Sequence, residues 1–178
     1  MNLLKALEFA AEKHRDQRRK GVEASPYINH PIQVAEVLAT YGQVDDLTTL
    51  MAAILHDTIE DTDTTRADLE ALFGDAVAEV VSEVTDDKSL PKRERKRLQV
   101  EHTPQLSDSA KLIKIADKTC NVRDVGSKPP ANWDEARRKE YFEWAEAVVA
   151  GCRGINAGLE QHFDECVAAS KARLKKEV

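Results

Sequence analysis

An all-α, single-domain protein is what the 178-residue sequence predicts, on three observations. Apolar residues recur at helical spacing along most of the chain, as in helices with one face in a core. No segment alternates apolar and polar residues convincingly, so no strand is expected. Capping and stop signals fall between the helical stretches. A chain of this length normally forms one domain, here 1–178, and buries about two-thirds of its unfolded surface.

Ala- and Leu-rich amphipathic stretches place helices at about 2–20, 31–41, 45–58, 66–73, 75–84, 91–102, 108–125, 133–153 and 155–176. The first ends in Arg18-Arg19-Lys20, basic residues that a helix C-terminus favours. The second begins after His30, where Pro31 fits the first helical position and Ile32, Val34, Ala35, Val37 and Leu38 carry the apolar pattern onward. Gly42 then follows as a left-handed cap would. In the third, Leu47, Leu50, Met51, Ile54 and Leu55 commit the chain to a buried face before it reaches His56. Thr65 with Asp68 reads as a capping box for the fourth, and Gly74 as the left-handed cap before the fifth. The sixth carries Lys92-Arg93-Glu94-Arg95-Lys96-Arg97, whose mixed signs read as a solvated face. Asp117 lies in the middle of the strongly apolar seventh, which Lys128-Pro129-Pro130 brings to a stop. Asn132 with Glu135 reads as the capping box of the eighth. Loops fall at 21–25, 86–90 and 125–131, with no repeat or domain linker.

Composition narrows the classes of function. Against 26 basic residues stand 32 acidic ones, a formal charge of −6, which argues against a general binder of nucleic acid or anionic membrane. No transmembrane run is present, and charges interrupt the amino terminus where a signal peptide needs an unbroken apolar core. Cys120, Cys152 and Cys166 have no ligand-type spacing, so a reduced cytoplasmic setting is expected.

The most informative residues are Leu55-His56-Asp57-Thr58-Ile59-Glu60-Asp61-Thr62, where charged pairs interrupt an apolar helical run. An imidazole and a carboxylate at the inner end of a packed helix fit a paired structural His-Asp, a helix end reaching solvent, or ligands of a metal ion. His30 and Asp117 stand in similar apolar settings on other helices. Together His30, His56, Asp57 and Asp117 make a His₂Asp₂ set suited to a divalent first-row ion with positions left open for water. Glu60 and Asp61 follow by about one helical turn and project near such an ion without having to ligate it. Two adjacent carboxylates beside a cation have divergent pKa values, so one can take a proton while the other holds charge. The other reading is a solvated acidic helix end before the Thr62-Asp63-Thr64 loop.

The order His30, His56-Asp57, Asp117 resembles the HD metal-dependent phosphohydrolase superfamily. Several segments are similar to the hydrolase domain of RelA/SpoT-type alarmone enzymes, and best to the small stand-alone alarmone hydrolases. They are Ala10-Ala11-Glu12-Lys13-His14-Arg15-Asp16-Gln17-Arg18-Arg19-Lys20, Pro26-Tyr27-Ile28-Asn29-His30-Pro31, Val84-Thr85-Asp86-Asp87-Lys88, Ala116-Asp117-Lys118-Thr119-Cys120-Asn121-Val122-Arg123 and Arg138-Lys139-Glu140-Tyr141-Phe142. The likeness runs from the first helix to beyond Gly154. It implies an HD-type helical bundle in which Glu60 and Asp61 are the acid/base and water-orienting pair. It also implies that Arg19 stacks on a purine, Lys20 contacts base or phosphate, and Asn121 contacts the sugar. Lys88, Lys118 and Arg123 are further candidates for phosphate, and Tyr141 for a nucleotide contact.

By that resemblance the substrate is a guanosine 3′,5′-bis(diphosphate), ppGpp or pppGpp, and the enzyme belongs to stringent-response chemistry. Water attacks the 3′-proximal phosphorus and releases pyrophosphate with GDP or GTP. The family usually uses Mn²⁺, while the ligand set alone admits Fe²⁺ or Zn²⁺ equally. A chain of this length has no room for synthetase or regulatory domains, so degradation without synthesis is expected. Two rivals stand: an HD phosphohydrolase for adenine alarmones or another phosphorylated nucleotide, and a non-catalytic alarmone-binding regulator. His14, His102 and His162 read as structural or exposed, and Trp133 and Trp144 as packing residues with nothing basic interleaved.

Overall fold

The computed structural model describes residues 2–176; the ends of the predicted domain, residue 1 and residues 177–178, lie outside them. Ten α-helices follow one another in these residues: α1 (Leu3–Lys13), α2 (Asn29–Thr40), α3 (Leu47–Leu55), α4 (Thr58–Asp61), α5 (Arg66–Phe73), α6 (Asp75–Val84), α7 (Lys92–His102), α8 (Asp108–Ser127), α9 (Glu135–Ala150) and α10 (Ala157–Lys176). A 3₁₀ turn, Thr103–Gln105, joins α7 to α8. Extended pairing among the described residues is limited to an isolated antiparallel bridge between Arg18 and Pro26.

At the centre lies α8, which packs against α2, α3, α6, α9 and α10. Every residue from Ile113 to Cys120 on it is buried, so the helix is enclosed on all sides. Its polar residues Lys114, Asp117, Lys118 and Asn121 follow the three-and-four spacing of a single helical face. Around it, Leu38, Met51, Leu55, Phe142 and Phe163 fill one continuous apolar core. At Gly126 the absence of a Cβ lets α10 approach, because a Cβ there would run into Ser170.

Four local expectations are corrected. The helix predicted over 2–20 ends at Lys13 with His14 as its C-cap, because residues 14–20 supply no apolar face to hold a further turn. The chain instead doubles back, with the Arg19 amide donating to the Ser25 carbonyl at 2.9 Å and the Tyr27 amide to the Gln17 carbonyl at 3.0 Å. The helix predicted over 45–58 breaks at His56-Asp57 into α3 and α4. There side chains take the helix-end carbonyls: His56 Nδ1 donates to Ala53 at 2.8 Å and Thr58 Oγ1 to Leu55 at 2.7 Å. The eighth helix starts from Asp134, whose carboxylate caps Arg137 at 2.8 Å, not from an Asn132–Glu135 box. Gly74 does cap α5 at a positive φ of 90°, with its amide donating to Glu70, although its ψ of 160° is extended, whereas after α2 the positive φ falls on Gln43, at 51°, and not on Gly42. The Thr65–Asp68 capping box is present in both directions.

Candidate metal centre and nucleotide pocket

Three elements converge on one point. Asn29–Thr40 brings His30, the break after α3 brings His56 and Asp57, and the middle of α8 brings Asp117. His30 Nε2 lies 3.1 Å from Asp117 Oδ1 and 3.8 Å from Asp57 Oδ2, while His56 Nε2 lies 3.0 Å from Asp57 Oδ2 and 4.0 Å from Asp117 Oδ1. Ligands about 2.0–2.2 Å from a common ion stand roughly 3–4 Å apart, and His30, His56 and Asp117 make a buried group that could hold a metal ion. Asp57 lies beside that group, with Oδ2 3.0 Å from His56 Nε2 and 3.8 Å from His30 Nε2. The break in the helix matters here, because it frees His56 Nε2 to face the carboxylates while Nδ1 donates to Ala53. Although Asp57 Oδ2 is 3.0 Å away, His56 Nε2 has no well-directed hydrogen-bond partner. A buried nitrogen left in this way fits a ligand better than a structural ion pair.

Electrostatics agree with that chemistry. Burial opposes the charged form of both carboxylates, yet the imidazoles beside Asp57, and Lys118 with His30 beside Asp117, hold both below the usual range. Burial also opposes charge on His56, but Asp57 and Asp117 outweigh it and push this imidazole up to about 9. His30 is lowered, chiefly by burial. Both carboxylates are thus held in the charged form that ligands of a cation require.

One turn on, α4 presents Glu60 and Asp61. Glu60 Oε2 accepts from the Asp86 amide at 3.2 Å, and Oε1 lies 3.5 Å from Arg95. Its carboxyl is raised, first by burial and then by the charges of Asp86 and Asp57. Asp61 accepts from Gln17 Nε2 at 2.9 Å through Oδ2 and from Lys88 through Oδ1. The pair is therefore half-buried beside the cluster and not a solvated helix end.

Of the predicted recognition residues, Arg19, Asn121 and Lys118 line a cavity of about 160 Å³ together with Tyr27, Glu60, Lys114 and the His/Asp cluster, whereas Lys20, Lys88 and Tyr141 are not among its lining residues. Arg19 Nη2 donates to Asn121 Oδ1 at 2.8 Å and to Asp124 Oδ2 at 2.7 Å, and its guanidinium lies 5.5 Å from the Tyr27 ring centroid. Asn121 Nδ2 in turn donates to Asp117 Oδ1 at 2.6 Å, joining the recognition side to the metal side. Lys20 is exposed, and the pKa of Lys92 is lowered first by burial and then by the charges of Arg137 and Lys20. Lys118 is buried and donates to Asp117 Oδ2 at 2.8 Å. Tyr141 sits beside Lys118, between Trp133 and Trp144 with centroids 5.5 and 5.4 Å away. Arg123 turns away, toward Cys120 Sγ at 3.9 Å and the α10 residues His162 and Cys166, so the structure does not bring it to the cavity.

Two readings of the sequence missed part of this site. α7 is not wholly solvated: Arg95 reaches Glu60, Gln99 Nε2 donates to Asp86 at 2.6 Å, and Lys96 lies 4.9 Å from the Trp144 ring. Lys92, Arg95, Lys96 and Gln99 share one helical face, a spacing that was available in the sequence. Arg97 pairs with Glu94 on the outer side. The tryptophans do carry cations, since Lys118 lies 4.7 Å over Trp144 and Arg137 4.7 Å over Trp133. Lys114, fully buried against the cavity and bonded to the Val84 carbonyl at 2.7 Å, was also overlooked. Its position three residues before Asp117, inside the apolar run Leu112-Ile113-Lys114-Ile115-Ala116, was the signal that could have found it.

A helical bundle with a clustered His/Asp centre at a broken helix defines a class of protein, and the chain belongs to the HD domain family, which matches residues 6–145. Among its relatives, a zebrafish (Danio rerio) guanosine-3′,5′-bis(diphosphate) 3′-pyrophosphohydrolase MESH1 is 55% identical over 92% of this chain and 91% of its own. The Homo sapiens protein of the same name is 56% identical over 89% of each. The bifunctional (p)ppGpp synthase/hydrolase SpoT of Escherichia coli is 38% identical over 99% of this chain, which spans 26% of that protein. A solved structure described as a metazoan ortholog of SpoT that hydrolyzes ppGpp superposes with a TM-score of 0.90 at 49% identity, covering 93% of each chain. No helix among the described residues is long and apolar enough to cross a membrane.

Proposed function

We propose that this chain is a single HD phosphohydrolase domain acting as a guanosine 3′,5′-bis(diphosphate) 3′-pyrophosphohydrolase, with ppGpp and pppGpp as substrates and no nucleic-acid or membrane partner. The observation that carries the reading is the 3.0–4.0 Å spacing of four donor atoms from His30, His56, Asp57 and Asp117 beside Glu60 and Asp61. The names of relatives more than half identical support the substrate. A divalent ion held there, Mn²⁺ in our reading, supplies Lewis-acid chemistry that eases deprotonation of water and polarises a phosphoryl oxygen.

The chain's own residues do the rest. Glu60, whose raised carboxyl is suited to proton exchange, takes the proton as water attacks the 3′-proximal phosphorus. Asp61 orients that water. As the P–O3′ bond breaks, pyrophosphate leaves with the oxygen from water, and the proton held by Glu60 passes to the 3′ oxygen, which the nucleoside keeps as a hydroxyl. Arg19 offers a flat guanidinium for stacking on the purine, with Asn121 exchanging its Arg19 contact for the sugar. Lys20 and Lys88 meet phosphate at the mouth, and Tyr141 borders the nucleotide from α9.

Two measurements test this. Thoroughly metal-stripped protein is expected to be inactive, to melt at lower temperature, and to recover both properties on addition of Mn²⁺. With ppGpp the reloaded protein is expected to yield GDP and intact pyrophosphate. Orthophosphate alone, or faster consumption of an adenine alarmone, would overturn the substrate assignment.

A further inference from the structure

His14 and Gln17 stand outside every role assigned above, yet both turn inward from the loop that replaces the predicted end of the first helix. His14 is 1% exposed. Its Nδ1 lies 2.7 Å from Gln17 Oε1, and Gln17 Nε2 lies 2.9 Å from Asp61 Oδ2. We propose that His14 and Gln17 form a positioning relay that fixes the carboxylate plane of Asp61; the inference rests on the role given to Asp61 under the proposed function.

The chemistry of an amide sets the direction of the relay. One end of Gln17 only donates and the other only accepts. Facing a carboxylate oxygen, the donor end must point at Asp61, because the reverse orientation would set two acceptors against each other. Gln17 Oε1 is then left for a donor, which His14 Nδ1–H supplies among the described residues. That contact places the proton on Nδ1 and leaves Nε2 as a bare acceptor. His14 Nε2 is indeed buried with no hydrogen-bond partner. A phenyl group would fill the same space against Tyr27, whose ring centroid is 4.9 Å away, without burying an unpartnered nitrogen. The imidazole is therefore explained by its Nδ1–H and not by packing.

Geometry also shows why Asp61 needs such a hold. Its other oxygen is held by Lys88, whose side chain is 48% exposed and which belongs to the loop between α6 and α7. When Lys88 turns to a substrate phosphate, Gln17 remains as the contact that keeps Oδ2 in place, and Oδ1 becomes free to accept from water. Tyr27, against His14, donates from its hydroxyl to Asp57 Oδ2 at 2.7 Å, so one packed unit backs both a proposed ligand and the proposed water-orienting carboxylate. Partners that orient metal ligands typically account for about 10–100-fold in metal affinity or activity, and the hold on Asp61 is expected to act on the same scale.

The test is a set of steady-state kinetics on Mn²⁺-loaded protein with ppGpp, each variant checked for metal content and thermal stability. Gln17→Met is expected to lower kcat by roughly 10–100-fold while KM and metal content stay close to wild type. Gln17→Glu, the same size but an acceptor at both ends, is expected to lose at least as much and covers the case in which the methionine variant fails to fold. His14→Leu is expected to fall in the same direction, and His14→Asn, whose amide nitrogen can replace Nδ1–H, to regain most of the loss. In an Asp61→Asn background Gln17→Met should change kcat less than about twofold, since residues acting through one another are not additive. Fully multiplicative losses, a rise in KM at unchanged kcat, or equal loss in His14→Leu and His14→Asn would overturn the relay. Wild-type kcat in Asp61→Asn alone would instead remove the role of Asp61 on which it rests.

Discussion

On one side of α8, Lys114, Asp117, Lys118 and Asn121 face the cavity; on another, Val122 and Gly126 lie against Ser170 of α10, with Ile115 and Thr119 buried along the same line. The second face settles its polar groups within the chain. Thr119 Oγ1 donates to the Ile115 carbonyl at 2.8 Å and Ser170 Oγ to the Val122 carbonyl at 3.2 Å. The first face sets charges against charges and leaves nitrogens of His30 and His56 without partners. Burial is thus alike on both faces, and what separates packing from function is whether each buried polar group is satisfied by the protein itself.

Replacement on the site face should give the largest effect. Asp117→Ala is expected to abolish metal retention and to lower turnover on the order of 10³-fold or more, by withdrawing the Lewis acid. Metal analysis beside kinetics checks it, and full metal content would show that the carboxylate is not a ligand. Glu60→Gln and Asp61→Asn are expected to cut kcat by roughly 10²–10⁴-fold with metal content near wild type. Loss of the ion in either variant would make it a ligand.

On the α10 face the same helix should respond in stability alone. Gly126→Ala pushes a Cβ into Ser170, and overpacking of this kind costs about 1–3 kcal/mol. Chemical denaturation should show the loss, while kcat per folded molecule stays at the wild-type value. A matching fall in kcat would mean that the two faces are coupled through the helix.

How much of this contrast the sequence reveals depends on the reach of each interaction. Periodicity placed α5 and α6 to the residue because Leu69, Phe73, Val77 and Val81 report burial locally. The convergence of His30, His56, Asp57 and Asp117 was legible because they interrupt apolar runs that announce buried helices. Arg19 was found by likeness of motif, but its partner Asp124 and the inward turn of His14 and Gln17 depend on a loop that no helical period describes. Arg95 and Gln99 lay hidden in a charged run whose outer face, Glu94, Arg97 and Glu101, dominated its appearance. Contacts between distant segments, not composition, decide which side of such a helix is used.

A smaller effect is expected where recognition replaces chemistry. Arg19→Ala and Asn121→Ala should each weaken nucleotide binding by about 1–3 kcal/mol, the scale of base stacking and of buried hydrogen bonds, with kcat less affected than KM. Equal losses for guanine and adenine substrates would show that these residues read the shape of a purine and not its identity.

The smallest expected change is a shift in pH dependence. Glu60 is held above the usual carboxylate range by burial first and then by the negative charge of Asp86. A raised carboxyl stays protonated to higher pH, so a base of this kind loses activity as pH falls through its pKa. Asp86→Asn removes the charge but keeps an oxygen able to accept from Gln99, and its backbone amide can still donate to Glu60. The acid limb of kcat/KM should therefore move to lower pH. Glu60→Gln should erase the limb from whatever activity remains. A limb that stays in place in Asp86→Asn would assign the proton to a group other than Glu60.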